Sequence, residues 1–357
     1  MANRNISVKL GIVGCGRVSV THHLPVLKKL PGVEVVALAD INKDCLNWTG
    51  DRFQIKQRYT DHRSLLDNPS IDAVAVCVPV QSHAEIALNV LDAGKHLFIE
   101  KPLALSLDEC DCLIEHARKV NTKVMVGFNL RYHRLVREAR RIIQQGSLDT
   151  IESIRTSWTS ALRLRQNIPE WRNQRALGGG ALFEIAVHHF DLWRFLLRCE
   201  VEEIFATSRS DSWDDETVAV TARMTNGVLA ISNFSERTSD SNELEICGRT
   251  GRLYLSLYNF YGFEFYSTAT IPGGIKPRLI KIGKVLKDFP KGVSVMLHGG
   301  DFLMTYQSEW QHFIDAIQND TRLECSLEDG RRALQVVLAA IESSSLGQLV
   351  KVNHAAR

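Results

Sequence analysis

The sequence predicts two fold classes in series: an α/β doubly wound parallel sheet over residues 1–128 and an α+β region over residues 129–357, a mostly antiparallel sheet with helices. Three observations carry this. Strand-like and helix-like runs alternate over roughly the first 130 residues, the pattern of a parallel sheet with crossover helices. From about Ile151 period-2 alternation takes over, as half-buried strands require. The length of 357 residues also exceeds what one hydrophobic core usually supports, so two domains are expected.

In the first half, apolar runs at 8–13, 33–39, 73–78, 96–99 and 123–128 read as buried parallel strands. Between them lie helical patterns such as HAEIALNVLDAG, whose closing glycine suits a helix C-cap. In the second half a helix is expected near 136–145, a strand at 151–158, and a helix at 181–197 after a loop rich in Arg and Asn. Strands follow in TVAVTARMT, GVLAISNFSE, ELEICG and GRLYLSL, separated by Gly or Asn turns. Helices at 301–319 and 327–345 and a short strand near Val350 close the chain.

Composition narrows the function. The 43 basic and 41 acidic residues nearly cancel, which removes the electrostatic case for nucleic acid or an anionic membrane surface. The start, MANRNISVKLGIVG, lacks a long apolar segment, and no run of about 18 apolar residues occurs. Eight cysteines are scattered without a CxxC pair, as in a reduced, cytoplasmic protein without a cysteine-rich zinc site.

The segment KLGIVGCGRVS stands where the first strand should pass into the first helix. Gly14 and Gly16 match the first two glycines of a dinucleotide fingerprint, and with Arg17 and Val18 they form the turn expected against a pyrophosphate. The third position is Ser19, small enough for helix-sheet contact. A second strand ends in Asp40, 24 residues after Gly16, near the spacing of the carboxylate that accepts hydrogen bonds from the adenosine ribose. That carboxylate would repel a 2′-phosphate, so NAD is expected over NADP, with Lys43 the residue that could reverse the preference.

Four motifs stand in order: GIVGCGRVS, VPVQSHAEIALNVLDAGKHLFIEKPLALS, VGFNLRYHR and WRNQRALGGGALFEIAVHHFDLWRFL. Together they closely resemble the Gfo/Idh/MocA family, which includes glucose-fructose oxidoreductase and inositol dehydrogenase. The resemblance is strong over 8–134 and 171–197 and faint over 201–300. It implies an N-terminal Rossmann domain followed by an open-faced antiparallel sheet, with nicotinamide and substrate in the cleft between them.

Glu100-Lys101-Pro102 matches the family's Glu-Lys-Pro motif, whose lysine is catalytic. By position alone, Lys101 ends the fifth strand, at the edge where α/β sheets bind ligands. Beside a positive nicotinamide its ammonium form is disfavoured, and it can hydrogen-bond a substrate hydroxyl. Glu184 and His188, four apart on a helix, share a face. They match the family's Asp-x-x-x-His, where the histidine is the general acid/base and the carboxylate positions substrate or imidazole; here the acid is one methylene longer. His189 is read as structural and Asp191 as a packing partner, and adjacent histidines point apart, so no metal is expected.

Further contacts follow from the resemblance. Val78, Pro79, His83, Glu100 and Asn129 are expected near the cofactor, and Trp171 and Arg172 at its nicotinamide end. Gly178 to Gly180 would let the following helix approach cofactor or substrate. Tyr306 and Arg163 are candidate substrate contacts, with core packing and a solvated charge as their plain alternatives; Arg163 with Arg165 would suit an acidic ligand.

The expected reaction has His188 take the proton of a secondary hydroxyl while the adjacent carbon gives hydride to NAD⁺ and Lys101 holds the oxygen. Three alternatives stay open: a glycosidase that oxidises its sugar transiently, an enzyme that shuttles hydride between sugars on a retained nicotinamide, and a non-catalytic NAD-binding regulator. The partners expected are a small sugar or polyol and a second copy of the chain, in a homodimer or homotetramer.

Overall fold

The computed structural model describes residues 7–269, 283, 289, 292, 295 and 300–354. Its contacts divide the chain into two compact units: Met1–Asn129 with Tyr306–Leu334, and Leu130–Thr305 with Gln335–Arg357.

The first unit holds six parallel strands, β1 (Val8–Val13), β2 (Val33–Ala39), β3 (Gln57–Tyr59), β4 (Ala73–Val76), β5 (His96–Glu100) and β6 (Val124–Gly127). Their order is β3-β2-β1-β4-β5-β6, that of a Rossmann sheet, with the order reversing between β1 and β4. β1, β2, β4 and β5 are apolar because helices cover both faces of a parallel sheet. Only β3 escapes the sequence pattern: Gln57, Arg58 and Tyr59 form a short polar edge strand, and edges carry little apolar signal.

A π-helical turn, Ser19–His23, leads into α1 (Leu24–Leu27); α2 (Lys43–Phe53), α3 (His62–Leu66), α4 (His83–Asp92) and α5 (Leu107–Ala117) follow. Their starts are written in the sequence. The Asn42 side chain accepts from the N–H groups of Asp44 and Cys45, and Ser106 with Glu109 forms a capping box on α5.

The second unit is built on eight strands: β7 (Ile151–Thr159), β8 (Val201–Arg209), β9 (Thr217–Met224), β10 (Leu229–Ser235), β11 (Ser241–Gly248), β12 (Gly251–Ser256), β13 (Phe263–Ser267) and β14 (Val350–Lys351). The order is β13-β12-β11-β7-β10-β9-β8-β14, antiparallel throughout except for the parallel pair β7 and β10. Burial alternates cleanly along β9 and β10, so one face is packed and the other open. The open face carries Phe205, Leu229 and Ile231, with Phe205 opposite Thr221 and Thr221 opposite Ile231.

Of the helices α6 (Arg134–Gln144), α7 (Leu162–Arg165) and α8 (Val187–Leu197), the last is buried along its whole length. It lies on the packed face: Phe190 meets Phe234 edge-on at 5.7 Å and the Trp193 indole N–H donates to Thr156 Oγ1 at 3.3 Å. Its charges are matched inside the unit. Asp191 accepts two hydrogen bonds from the buried Arg131 guanidinium at 2.7 and 2.5 Å, the packing role expected of it.

Two long helices, α9 (Gly300–Asn319) and α10 (Leu327–Leu346), contain the points where the division falls. From Tyr306 onward α9 serves the first unit, where Trp310 stacks on Phe98 of β5 at 4.3 Å and Phe313 meets the same ring at 5.8 Å. Beside them Glu309 is fully buried, and neither carboxyl oxygen has a hydrogen-bond partner among the described residues. Burial, with Glu100 nearby, pushes its pKa well above the usual glutamate range.

Glu309 is protonated in the fold and ionises when the chain unfolds, so its contribution to stability is full below about pH 4.3 and is lost as pH rises. Glu309→Gln removes that loss and is expected to raise Tm by more at pH 8 than at pH 5, read by thermal melts at both. Asp191→Asn strands the Arg131 guanidinium in the core and is expected to lower unfolding free energy by about 3 kcal/mol in urea titrations.

Candidate active site

In the first unit the carboxyl ends of β1, β2, β4 and β5 bring together the turn at Gly14, Asp40, Val78-Pro79 and Lys101. Gly14 has φ +101°, and a Cβ there would lie 2.4 Å from the Cys77 carbonyl oxygen, so only glycine lets β1 and β4 close to this distance. Gly16 and Arg17 are exposed, Val18 half-buried, and a Cβ on Gly16 would meet nothing within 4 Å. Ser19 is more than a tolerated substitute: its hydroxyl donates to the Gly14 carbonyl at 2.6 Å and pins the turn.

Asp40 braces the same turn. One carboxylate oxygen accepts the Cys15 N–H at 2.7 Å and the other the Asn42 N–H at 2.8 Å. A carboxylate has about four acceptor sites, so each oxygen keeps capacity for a ribose hydroxyl. With burial, the same charge helps push the Cys15 thiol up to about 12, which leaves the turn cysteine a neutral filler. Open space over Gly16, a close main-chain approach at Gly14 and a fixed acceptor on Asp40 fit a dinucleotide.

At the end of β5, Lys101 is half-buried and its main-chain N–H donates to Glu100 Oε2 at 3.1 Å. Glu100 is turned inward, where Oε1 accepts from His23 Nε2 at 2.9 Å; it supports the strand end where cofactor contact was expected. Burial alone would raise its pKa, but the His23 hydrogen bond and the Lys101 charge and N–H hold it below the usual glutamate range.

Two other expected contacts also belong to the interior. His83 is 1% exposed, and its ring nitrogens lie 2.9 Å from the Pro102 and Val78 carbonyl oxygens. Its ring ties the end of β4 to the segment after β5 and offers no edge to a nucleotide; burial lowers its pKa despite both carbonyls. Tyr306 stacks on His22 at 4.8 Å and meets His23 edge-on at 5.3 Å, which is the core-packing alternative. Asn129, which opens the turn after β6, is likewise buried.

In the second unit His188 stands in the first turn of α8, buried and tilted against Trp158 at 5.3 Å. The single helix expected over 181–197 is instead a π-helical turn, Leu182–Ala186, feeding α8. This changes the angle between Glu184 and His188 from the α-helical one, and such π turns gather at functional sites.

Glu184 is engaged by arginines of its own chain. Oε1 accepts from Arg163 at 2.9 Å and from Arg172 at 2.7 Å, and Oε2 pairs with Arg172 as well. The longer side chain explains why: it reaches into a buried cluster in which Arg163 also pairs with Glu236 at 2.7 Å, donates to Asn173 at 2.6 Å and lies over Trp213. Arg163 and Arg172, the expected substrate and nicotinamide contacts, thus each pair with carboxylates of their own chain, and Trp171 is half-buried. Arg165 pairs with Asp240 at 2.5 Å.

The glycine triplet serves the same cluster. A Cβ on Gly179 would lie 2.1 Å from the Arg172 carbonyl oxygen, so the glycines let this loop fold on itself. His189, with Nε2 3.1 Å from Asn242 Oδ1, is lowered to about 4 by burial, as a structural histidine should be. Sequence reasoning missed His23, Glu309 and Trp310. Their only sequence signal is that two histidines follow the glycine turn and that polar residues interrupt the apolar stripe of α9.

Residues 8–128 match the model of an oxidoreductase family with an NAD-binding Rossmann fold, and residues 136–254 match the GFO/IDH/MocA C-terminal domain. The chain is 30% identical over 257 residues to the dTDP-3,4-didehydro-2,6-dideoxy-alpha-D-glucose 3-reductase of Actinomadura kijaniata, covering 71% of this chain and 76% of that one. It is 27% identical over 256 residues to the myo-inositol 2-dehydrogenase of Thermotoga maritima, covering 69% and 75%. Among solved structures, a levoglucosan dehydrogenase in complex with NADH and levoglucosan superposes with a TM-score of 0.81 at 23% identity, over 98% of this chain and 100% of that one. The parallel sheet with its glycine turn is thus an NAD-binding Rossmann domain, and the chain belongs to the GFO/IDH/MocA family of oxidoreductases.

Proposed function

We propose that this protein is an NAD-dependent dehydrogenase that interconverts a secondary hydroxyl and a ketone on a sugar or cyclic polyol. The observation that carries the reading is the gathering of Gly14, Gly16, Asp40 and Lys101 at one edge of the parallel sheet. Relatives named as inositol, levoglucosan and deoxysugar-nucleotide oxidoreductases support the substrate class.

In this reading the turn from Gly14 to Val18 holds the pyrophosphate, Asp40 the adenosine ribose, and Val78-Pro79 borders the cofactor. NAD supplies the hydride acceptor when bound. Lys101 hydrogen-bonds the substrate oxygen and stabilises negative charge on it. His188, neutral before the reaction, accepts the hydroxyl proton. Glu184 works at one remove, fixing Arg163 and Arg172 and so the π turn that leads to His188. That cluster matches two arginines with Glu184 and Glu236, which supports a neutral substrate over an acidic one.

Asp40 favours NAD over NADP by charge repulsion. The apolar open face of the eight-stranded sheet suits a homodimer or homotetramer. All eight cysteines are unpaired thiols, which suits a reducing cytoplasm, and among the described residues no helix is long and apolar enough to cross a membrane.

A panel of inositols, aldoses, sugar acids and glycosides, followed by NADH absorbance with NAD and NADP in parallel, tests the class; net glycoside cleavage without NADH would point to the glycosidase instead. Lys101→Ala and His188→Ala are expected to lower kcat by at least about a hundredfold while NADH still binds by fluorescence titration. Normal turnover in both variants removes the assignment. Asp40→Ser is expected to weaken NAD and admit NADP, read as KM for each cofactor.

A further inference from the structure

Beneath Lys101 runs a chain of hydrogen bonds that the reaction above does not use. The indole N–H of Trp310 donates to His23 Nδ1 at 2.9 Å. A nitrogen that accepts carries no proton of its own, so the ring proton of His23 sits on Nε2 and is donated to Glu100 Oε1 at 2.9 Å. The other oxygen of Glu100 accepts the main-chain N–H of Lys101 at 3.1 Å. All three side chains are buried within the first unit, and His23 ends the π turn that follows the glycine turn.

The surroundings favour charge on Glu100 over charge on its neighbours Glu309 and Tyr306. Burial and the Glu100 charge push both Glu309 and Tyr306 well up, so these two stay neutral, while Glu100 itself is held below the glutamate range. A charge kept in a core needs partners, and those of Glu100 link the helix after the cofactor turn to the strand end that bears Lys101. Packing alone would not require this. The Trp310 ring already fills its space against Phe98 at 4.3 Å and His23 at 5.7 Å, and a phenyl ring would supply most of that contact without the N–H.

We propose that His23 and Trp310 are positioning residues for Lys101. Acting through Glu100, they fix the main chain at Lys101 and with it the direction in which the lysine side chain leaves β5. The proposal rests on Lys101 being the group that holds the substrate oxygen. A misplacement of about 1 Å in such a group costs up to about a hundredfold in rate.

The test compares Trp310→Phe, His23→Leu, His23→Gln and Lys101→Ala in the full chain. The assay uses NAD with myo-inositol or, if that is not oxidised, the panel compound with the highest turnover. Trp310→Phe is expected to lower kcat about tenfold with KM for NAD within twofold and Tm little changed, whereas His23→Leu lowers kcat and, by stranding the Glu100 charge, Tm as well. His23→Gln, whose amide can still donate toward Glu100, should recover part of the loss. In the unsubstituted protein, ¹⁵N spectra of the histidine rings should show His23 protonated on Nε2 and bare on Nδ1, with or without NADH.

Unchanged kcat in Trp310→Phe and His23→Leu, alongside a dead Lys101→Ala, overturns the positioning role and leaves the lysine assignment standing. A proton on Nδ1 of His23 overturns it too, as does a fall in kcat in Trp310→Phe matched by equal losses of Tm and NADH affinity. Full turnover by Lys101→Ala, or none by the parent on the whole panel, instead removes the reading on which the proposal rests.

Discussion

The first unit depends on one close approach, the main chain of β1 passing within contact of the Cys77 carbonyl at Gly14. Any side chain at that point would wedge β1 from β4, the two strands between which the sheet reverses its order. Because the approach is met by the main chain alone, the groups around it are free to brace the turn. Ser19 does so from within the helix and Asp40 from the neighbouring strand. The space over Gly16 stays open because neither brace crosses it.

A second constraint governs the second unit and much of the first: charge taken out of water must be met inside. Glu184 with Arg163 and Arg172, Asp191 with Arg131, and Glu100 with His23 are all answers to it. Such residues resemble ligand contacts in sequence, since polar side chains next to a catalytic motif are what a binding site looks like in one dimension. Only the packing shows that their hydrogen-bonding capacity is already committed.

What the sequence made legible follows from this. The strands β1, β2, β9 and β10 are readable because periodicity reports burial, and β1 and β2 fall at the expected bounds. The short polar edge β3 carries too few apolar residues to register, and β13, although rich in aromatics, is a five-residue outer strand with no fully buried residue to give a burial period. β8 has the period but stands right after a buried helix, with no motif to mark it. The parallel pairing of β7 with β10 has no local signal, because pairing direction is set by the connection and not by residue type. The glycine turn, Asp40 and Lys101 were foreseen at the carboxyl ends of the parallel strands, where the fold has them, because motif and position coincide. The pairing of Glu184 with Arg163 and Arg172 was not legible, because the π turn that sets its direction has no signal in residue spacing. His23 and Trp310, 287 residues apart, meet only through tertiary folding.

The position of β7 in its sheet bears on how the chain acquires its structure. β7 lies between β10 and β11, yet it is synthesised before either of them. At roughly 5–20 residues per second, about 4 to 15 s separate the end of β7 from the end of β10, during which the strand has no edge to join. β8 and β9 can meanwhile pair with each other. Nascent second-unit chains should therefore hold a hairpin and one waiting strand, and a chaperone or a stalled ribosome would meet the molecule in that form.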